Sequence, residues 1–339
     1  MRGWARRALA APLLSAMSSR GLVRMLGATG RSGCVVLVLH RFANPDLGTP
    51  GHCPDSLRSV LGRLRRCGVR LVDAEHAIDE QEGWVARDRW RGVSVAFTVD
   101  DGYQDLVDIA APVFAEFDCP VSCFVVPDVV GGHSWFWWDR LDWLMRHAAR
   151  RQLEVDQGRG PINVAWTDEP SRVRARERLE GILKGMTHDE SQRVMRDLAV
   201  AAGVEIPATA PGEYRTLDWN DIRTAERRGI RFGPHSLSHP ILSRCSTEQV
   251  TREIVESIAQ VHAQLSDPVR IFCYPNGNLG DFGLREYEVI QSAGYHHAFS
   301  TIGGVVRPTI ETDIGPDWRL RLPRFPYEDN VGRILRNLL

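Results

Sequence analysis

The sequence predicts an α/β fold, a distorted (β/α) barrel of seven or eight strands with one helical insertion. Three observations lead there. Short apolar, β-branched runs alternate with segments of helical periodicity along most of the 339 residues. The strand runs, such as 35–39 and 93–99, are continuously rather than alternately apolar, the pattern of parallel strands covered on both faces. Seven or eight such strand–helix units succeed one another, as in a relative of the (β/α)₈ barrel. The rhythm breaks only from about 135 to 211, which reads as a helical insertion in a loop.

Residues 1–30 come first. Arg2, Arg6 and Arg7 precede ALAAPLLSAM, the outline of a short signal-peptide core. Yet Arg20 and Arg24 follow, no small-x-small site appears, and Leu9, Leu13, Met17, Leu22 and Met25 hold a helical stripe. The apolar run is too short to span a bilayer. An amphipathic helix, docked on the domain or on a membrane surface, is the expectation. The barrel then occupies 31–330. Strand 35–39 ends at His40, and helix 55–67 follows with Leu57, Val60, Leu61 and Leu64 on one face. Strands 69–72 and 93–99 come next. Helix 106–117 turns Ile109, Val113, Phe114 and Phe117 inward, and strand 121–126 follows. Within the insertion lie WFWWDRLDWLM, an Arg/Glu-rich helix and a helix over 188–202. Trp135, Trp137, Trp138 and Trp143 either stack on sugar rings or pack the insertion onto the barrel. Strand 230–233 restores the rhythm. Helix 246–265 opens with Ser246-Thr247-Glu248 and carries Ile254, Ile258, Val261 and Leu265 on one face. Strand 269–274, helix 284–293, strands 298–301 and 320–325 and a C-terminal helix over 331–339 complete the series.

Composition is that of a globular protein, 43% hydrophobic and 25% charged. The net charge of −1 supplies no field for nucleic acid or for an anionic membrane. Lys184 is the only lysine among 42 basic residues. Seven scattered cysteines make a poor disulfide framework. Cys119 and Cys123 share a strand-like segment, CPVSCFVV, where Cys behaves as a small hydrophobe. A reducing, cytoplasmic location is expected, with peripheral membrane contact through the N-terminal helix as an option.

The chemistry centres on SVAFTVDDGYQD, residues 94–105. Adjacent strand residues point to opposite faces, so Asp100 and Asp101 share a site only where the strand ends and turns, as Gly102 allows. Like charges this close raise one another's pKa unless a cation lies between them, and a metal on one Asp leaves the other free as a base. A second element, GPHSLSHP, places His235 and His239 after a strand, at the end where barrel sites are built. Pro234 and Pro240 argue against a regular helix there. Two neutral imidazoles and a carboxylate are the three-ligand set of a catalytic zinc.

TVDDGYQD, HSLSH and YPNG together resemble the polysaccharide deacetylase family, whose members remove acetyl groups from N-acetylated sugars. The likeness runs from about Val35 to Arg324, and WWDRLDWL also occurs in some members. The resemblance implies Asp100 as general base and Asp101, His235 and His239 as ligands of a divalent metal, zinc by this donor set. It implies substrate contacts from Tyr103, Tyr274, Pro275, Asn276, Gly277 and Arg324. Two departures matter. The C-terminal Leu-x-His that supplies the catalytic acid in many members is missing from LRLPRFPY, and His40 in VLVLHRF matches the alternative position at the end of the first strand. Cys273 in FCYPNG replaces the usual Arg of the third motif, leaving Arg324 of LPRFP to supply the charge that orients Asp100. The implied reaction is metal-assisted amide hydrolysis of an N-acetylated saccharide, with Asp100 as base and a protonated His40 as acid. Two other readings stand beside it: a related metal hydrolase acting on a non-sugar amide, and a non-catalytic sugar-binding scaffold.

Overall fold

The computed structural model describes residues 33–78, 93–156, 160–307 and 317–337, with positions 21, 23 and 315. Ten strands occur among them: β1 (Gly33–Leu39), β2 (Arg70–Val72), β3 (Val93–Asp101), β4 (Val121–Val125), β5 (Gln152–Asp156), β6 (Pro161–Ala165), β7 (Arg231–Pro234), β8 (Ile271–Cys273), β9 (His297–Phe299) and β10 (Phe325–Pro326). The continuous apolar runs became strands because both their faces are covered. Every residue of β1 and β3 is buried. Val35, Leu37, Leu39, Val95, Phe97 and Val99 belong to the same core as Leu57 and Leu61 of the Pro54–Arg66 helix and Ile334 of the Val331–Arg336 helix. Cys34, Val36, Ala96 and Phe124 pack instead with Ile271, Cys273, Phe299 and Leu322 in an inner core, where the Phe124 and Phe299 rings meet edge-on at 5.8 Å.

The main sheet runs β10-β1-β3-β4-β7, with β2 also on β3, and every pairing in it is parallel. Gly33 pairs with Val93 and Leu39 with Val99, then Asp100 with Phe124 and Val125 with Pro234. This register brings the carboxyl ends of β1, β3, β4 and β7 to one edge, which is where His40, Asp100, Asp101 and His235 stand.

The expected barrel is not a continuous ladder. β8 and β9 form a separate parallel pair. A Val269 N–H to Phe232 carbonyl bond of 2.7 Å links the chain before β8 to β7, and a single bridge from Phe299 to Leu322 links β9 toward β10. What is shown is an α/β domain with a mostly parallel, curled sheet. The strand expected over 320–325 is a short 3₁₀ turn, Trp318–Arg321, followed by the two-residue β10. The helix expected over 106–117 begins as a π-type turn, Leu106–Ala110, before Ala111–Ala115. The expected N-terminal helix lies outside the described residues apart from Gly21 and Val23. Among the described residues no helix is long and apolar enough to cross a membrane.

The insertion is not purely helical. Helices Trp137–His147, Glu169–Lys184 and His188–Ala202 pack with an antiparallel hairpin, β5–β6, around a core that includes Leu144, Leu153, Ile162, Leu179 and Leu198. QLEVD and PINVA alternate exposed and buried residues, a period-2 signal visible in the sequence. The two longer helices are held at their starts by reciprocal capping, Asp168 with Ser171 and Thr187 with Glu190.

Gly233 in β7 has no room for a side chain. A Cβ there would lie 2.9 Å from the Phe124 ring and 3.1 Å from Val269 Cβ. Gly233→Ala should cost about 1–3 kcal/mol by overpacking, read as a lower denaturation midpoint. An unchanged midpoint would show that the inner core yields at this point.

Candidate active site

Asp100 ends the extended part of β3, and Asp101 follows in the left-handed region at φ 76°. That turn lets two successive carboxylates serve one site. Gly102 continues it at φ 73°, where a Cβ would come within 2.9 Å of Val125.

Asp100 is buried and held by Arg324 through two parallel bonds, Nη1 to Oδ1 and Nη2 to Oδ2, each 2.8 Å. Burial alone would raise the Asp100 pKa, but the Arg324 guanidinium and then His235 override it and hold the carboxyl well below the usual range. Arg324 is itself fully buried, bonded also to Ser300 O, Thr98 Oγ1 and Cys273 Sγ. The substrate contact implied for Arg324 is therefore corrected: its side chain orients Asp100 from below.

Asp101, His235 and His239 converge, with every pair of ligand atoms within 4.8 Å. Asp101 Oδ1 lies 3.5 Å from His239 Nε2 and 3.8 Å from His235 Nε2. Asp101 Oδ1 is buried without a hydrogen-bond partner. Burial first, then Asp100 and Asp139, push the Asp101 carboxyl well up. A cation among these three atoms would satisfy the orphaned oxygen and reverse that cost. Nδ1 of His235 lies 2.8 Å from the Cys273 carbonyl, a contact that fixes the ring and directs Nε2 inward. Burial lowers the His235 pKa to about 4 and that of His239 well below its ordinary value, so both rings are neutral, as metal ligation requires. His239 Nδ1 has no partner, and its ring instead meets the stacked Trp138 and Phe136 rings edge-on. Asp100, His235 and Cys273 form a second cluster. There Asp100 is already engaged by Arg324, and burial pushes the Cys273 thiol far up, so the ligand-competent set is Asp101, His235 and His239.

A cavity of about 540 Å³ opens above these residues. His40 lines it, open to solvent through the cavity but crowded by protein. That crowding, with Arg324, lowers the His40 pKa, and Asp100 offsets it only in part. The surroundings thus work against the protonated form expected from the sequence. His297 begins β9, and it and His296 line a different cavity with Asp73, Glu75 and Arg270.

Of the substrate contacts implied by the sequence, Tyr103 and Asn276 line the cavity. Tyr274 does not: its hydroxyl donates to Leu320 O and its ring stacks on Phe282 at 4.1 Å. Pro275 and Gly277 also stay out of the lining and are buried. The tryptophans divide. Trp137 and Trp138 line the cavity, whereas Trp135 and Trp143 donate to Pro207 O and Glu205 O inside the insertion.

Sequence reasoning missed two acids. Glu253 is buried and accepts from the Leu237 and Ser238 N–H groups at 3.0 and 2.8 Å and from Ser238 Oγ at 2.6 Å, clamping the loop between the two histidines. Its signal was a charged residue on the apolar stripe of the Thr247–Gln264 helix, beside Val250, Ile254 and Ser257. Asp139 is buried in the cavity wall and accepts from the Tyr103 hydroxyl at 2.6 Å, which in turn accepts from Trp138 Nε1 at 2.9 Å. Arg41 lies over the Tyr103 ring at 3.9 Å and pairs with Asp105 at 2.6 Å.

The profile of a family described as polysaccharide deacetylase matches residues 89–297, more than half of the chain. Among solved structures, a Streptococcus pyogenes deacetylase, PplD, in complex with acetate is 13% identical with TM-score 0.55, over 91% of this chain and 98% of that one. IcaB from Ammonifex degensii is 17% identical with TM-score 0.53, over 90% and 97%. A de-N-acetylase from Aggregatibacter actinomycetemcomitans is 13% identical with TM-score 0.51, over 90% and 99%. At such identities the likeness is one of fold. No curated protein sequence matches the chain.

Two predictions follow from the missed acids. Glu253→Ala should leave two buried N–H groups unsatisfied and lower metal affinity roughly 10–100-fold, as loss of an outer partner does; Glu253→Gln, which keeps an acceptor, should recover part of it. Equal affinity in native protein and Glu253→Ala, by calorimetric titration, would show that the loop holds itself. Asp139 has its pKa raised to about 7, chiefly by burial, above its unfolded value. The folded state therefore holds that proton more tightly. Its contribution is fully present below about pH 4 and is lost as pH rises through about 7. Unfolding of native protein and Asp139→Asn should show the native form losing ground to the variant between those limits. A gap constant with pH would refute the assignment.

Proposed function

From the chain's membership of the polysaccharide deacetylase family, we propose that it is a metal-dependent hydrolase that removes an acetyl group from an N-acetylated saccharide. One observation carries the reading: the unpartnered Asp101 oxygen facing His235 and His239, beside an Asp100 kept ionised by Arg324, at the floor of one cavity. The neighbour bound to acetate is described as a deacetylase, which is the product expected of this reaction class. The curled sheet is read as a distorted, incompletely laddered relative of the (β/α) barrel, which accounts for a site at the carboxyl ends of its strands.

Asp101, His235 and His239 would hold a divalent metal, zinc by donor type, which supplies Lewis-acid polarisation of the acetyl carbonyl and lowers the pKa of water from 15.7 to about 7. Asp100, held ionised by Arg324, would take the proton of the attacking water. Arg324 fixes which carboxylate edge faces the cavity. His40, beside Asp100 by strand register, donates the proton that the departing amine needs. Trp137 and Trp138, half-buried in the cavity wall, offer ring faces for the sugar.

Acetate release from N-acetylglucosamine oligosaccharides, with and without chelator, tests the reading. Asp101→Asn should lose metal and activity together. Asp100→Asn should keep metal and lose on the order of 10²–10⁴-fold in rate. His40→Ala should keep metal, lose a similar factor and abolish the fall in rate on the alkaline side, which in native protein lies acid of the ordinary imidazole value. Metal loss in Asp100→Asn but not in Asp101→Asn would reverse the two roles. Release from non-sugar amides alone would favour the other hydrolase reading, and metal binding without any release would favour the scaffold.

A further inference from the structure

We propose that the groove leading out from His239, between the insertion and the turns after β7 and β8, binds an anionic group, phosphoryl or carboxylate, carried by the substrate beside its N-acetyl sugar. This rests on the deacetylase reading and names the class of saccharide.

The groove shares Trp137, Lys184, His239 and Asn276 with the main cavity and adds His188 and Arg244. No carboxylate lines it among the described residues. That is unexpected in a chain whose 42 basic and 43 acidic residues balance. The other cations of the cavity wall are spoken for. Arg146 pairs with Asp142 at 2.7 Å, Arg172 with Glu169 at 2.5 Å and Arg176 with Glu180 at 2.9 Å. Lys184 and Arg244 are exposed and have no hydrogen-bond or ion-pair partner for their side chains among the described residues. Asp189, next to His188, does not line the groove and pairs with neither. Lys184 ends the Glu169–Lys184 helix, where a cation suits the helix dipole. That placement explains a basic residue at the position but not the missing acid. Arg244 closes the Leu242–Arg244 turn after β7. Two unpaired cations from different parts of the fold thus line one small recess, about 30 Å³, that adjoins the main cavity beside His239. Lys184 offers a mobile point charge and Arg244 a planar fork, the two complementary ways of holding an oxyanion.

The test uses three N-acetylated oligosaccharides of equal length: neutral, phosphorylated and uronate-containing. Native protein should favour at least one acidic substrate over the neutral one by about tenfold or more in kcat/KM, chiefly through KM, with the preference shrinking as salt rises. Lys184→Gln and Arg244→Gln should each reduce the ratio of acidic to neutral kcat/KM, the double variant should bring it near one, and Arg244→Lys should retain part of it. Preference for the phosphorylated or for the uronate arm identifies the source of the anion. Equal kcat/KM for all three substrates, with a ratio unmoved in the double variant, overturns this inference and leaves the deacetylase reading standing. If no arm releases acetate, the deacetylase reading fails. Calorimetric binding of the same three oligosaccharides to native and double-variant protein then decides the groove by itself, equal affinities overturning it.

Discussion

Arg324 uses all five of its N–H donors inside the protein. Nε reaches Ser300 O, Nη1 reaches Thr98 and Asp100, and Nη2 reaches Asp100 and Cys273. These partners lie on β3, at the end of β8 and just past β9, so one guanidinium ties together strand ends that no continuous ladder joins. A buried ion pair is favourable only when such bonds offset its desolvation, and removing one member typically costs about 3–5 kcal/mol because the other charge is left unpaired. Asp100 is thus at once the reacting carboxylate proposed above and the anchor that keeps Arg324 buried. The geometry of the site and the closure of the inner core are not separable.

The rim of the site is shaped by backbone that ordinary residues avoid. Asp101, Ser236, His239 and Asn276 all have φ between 56° and 76°. Each such position costs about 1–2 kcal/mol for an L-residue, so neighbours must hold it. Glu253 does this for the 236–239 loop, and Ser236 Oγ accepts from the His239 N–H at 3.1 Å. Thr301 Oγ1 does it for Asn276, donating to its carbonyl at 2.6 Å. Side chains of ligating type sit where the chain turns because only there can consecutive or near-consecutive residues face one point.

Much of this was legible in the sequence, and what was not has a physical reason. The parallel sheet followed from unbroken apolar runs, and the Asp-Asp-Gly turn and the two histidines followed from strand ends. Arg324 could be picked out as the charge beside Asp100 because Cys273 stands where that charge was expected. Its full burial was not legible, since it depends on Ser300 and Thr98 capping the guanidinium from other strands. The hairpin β5–β6 was overlooked although its alternation was present, because a helical reading of the insertion left no place for it. The four tryptophans could not be sorted from spacing. Trp137 and Trp138 differ from Trp135 and Trp143 only in which face of one short helix and its lead-in meets the barrel.

Charge in the cavity floor leads to a last point. Asp100, Asp101 and Asp139 are buried near one another, and Asp100 and Asp139 both push Asp101 up. Two arginines are close enough to oppose this, Arg41 and Arg324. Arg41 is committed to Asp105 and the Glu213 carbonyl, and Arg324 to Asp100. Asp139 is partly relieved by the Tyr103 hydroxyl, whereas Asp101 Oδ1 has no donor. The fold therefore distributes its own cations so that one carboxylate oxygen, flanked by two neutral imidazoles, is left uncompensated. The divalent cation proposed above would supply the missing charge at that oxygen, and the insertion contributes Asp139, Trp138 and Lys184 to the walls above it.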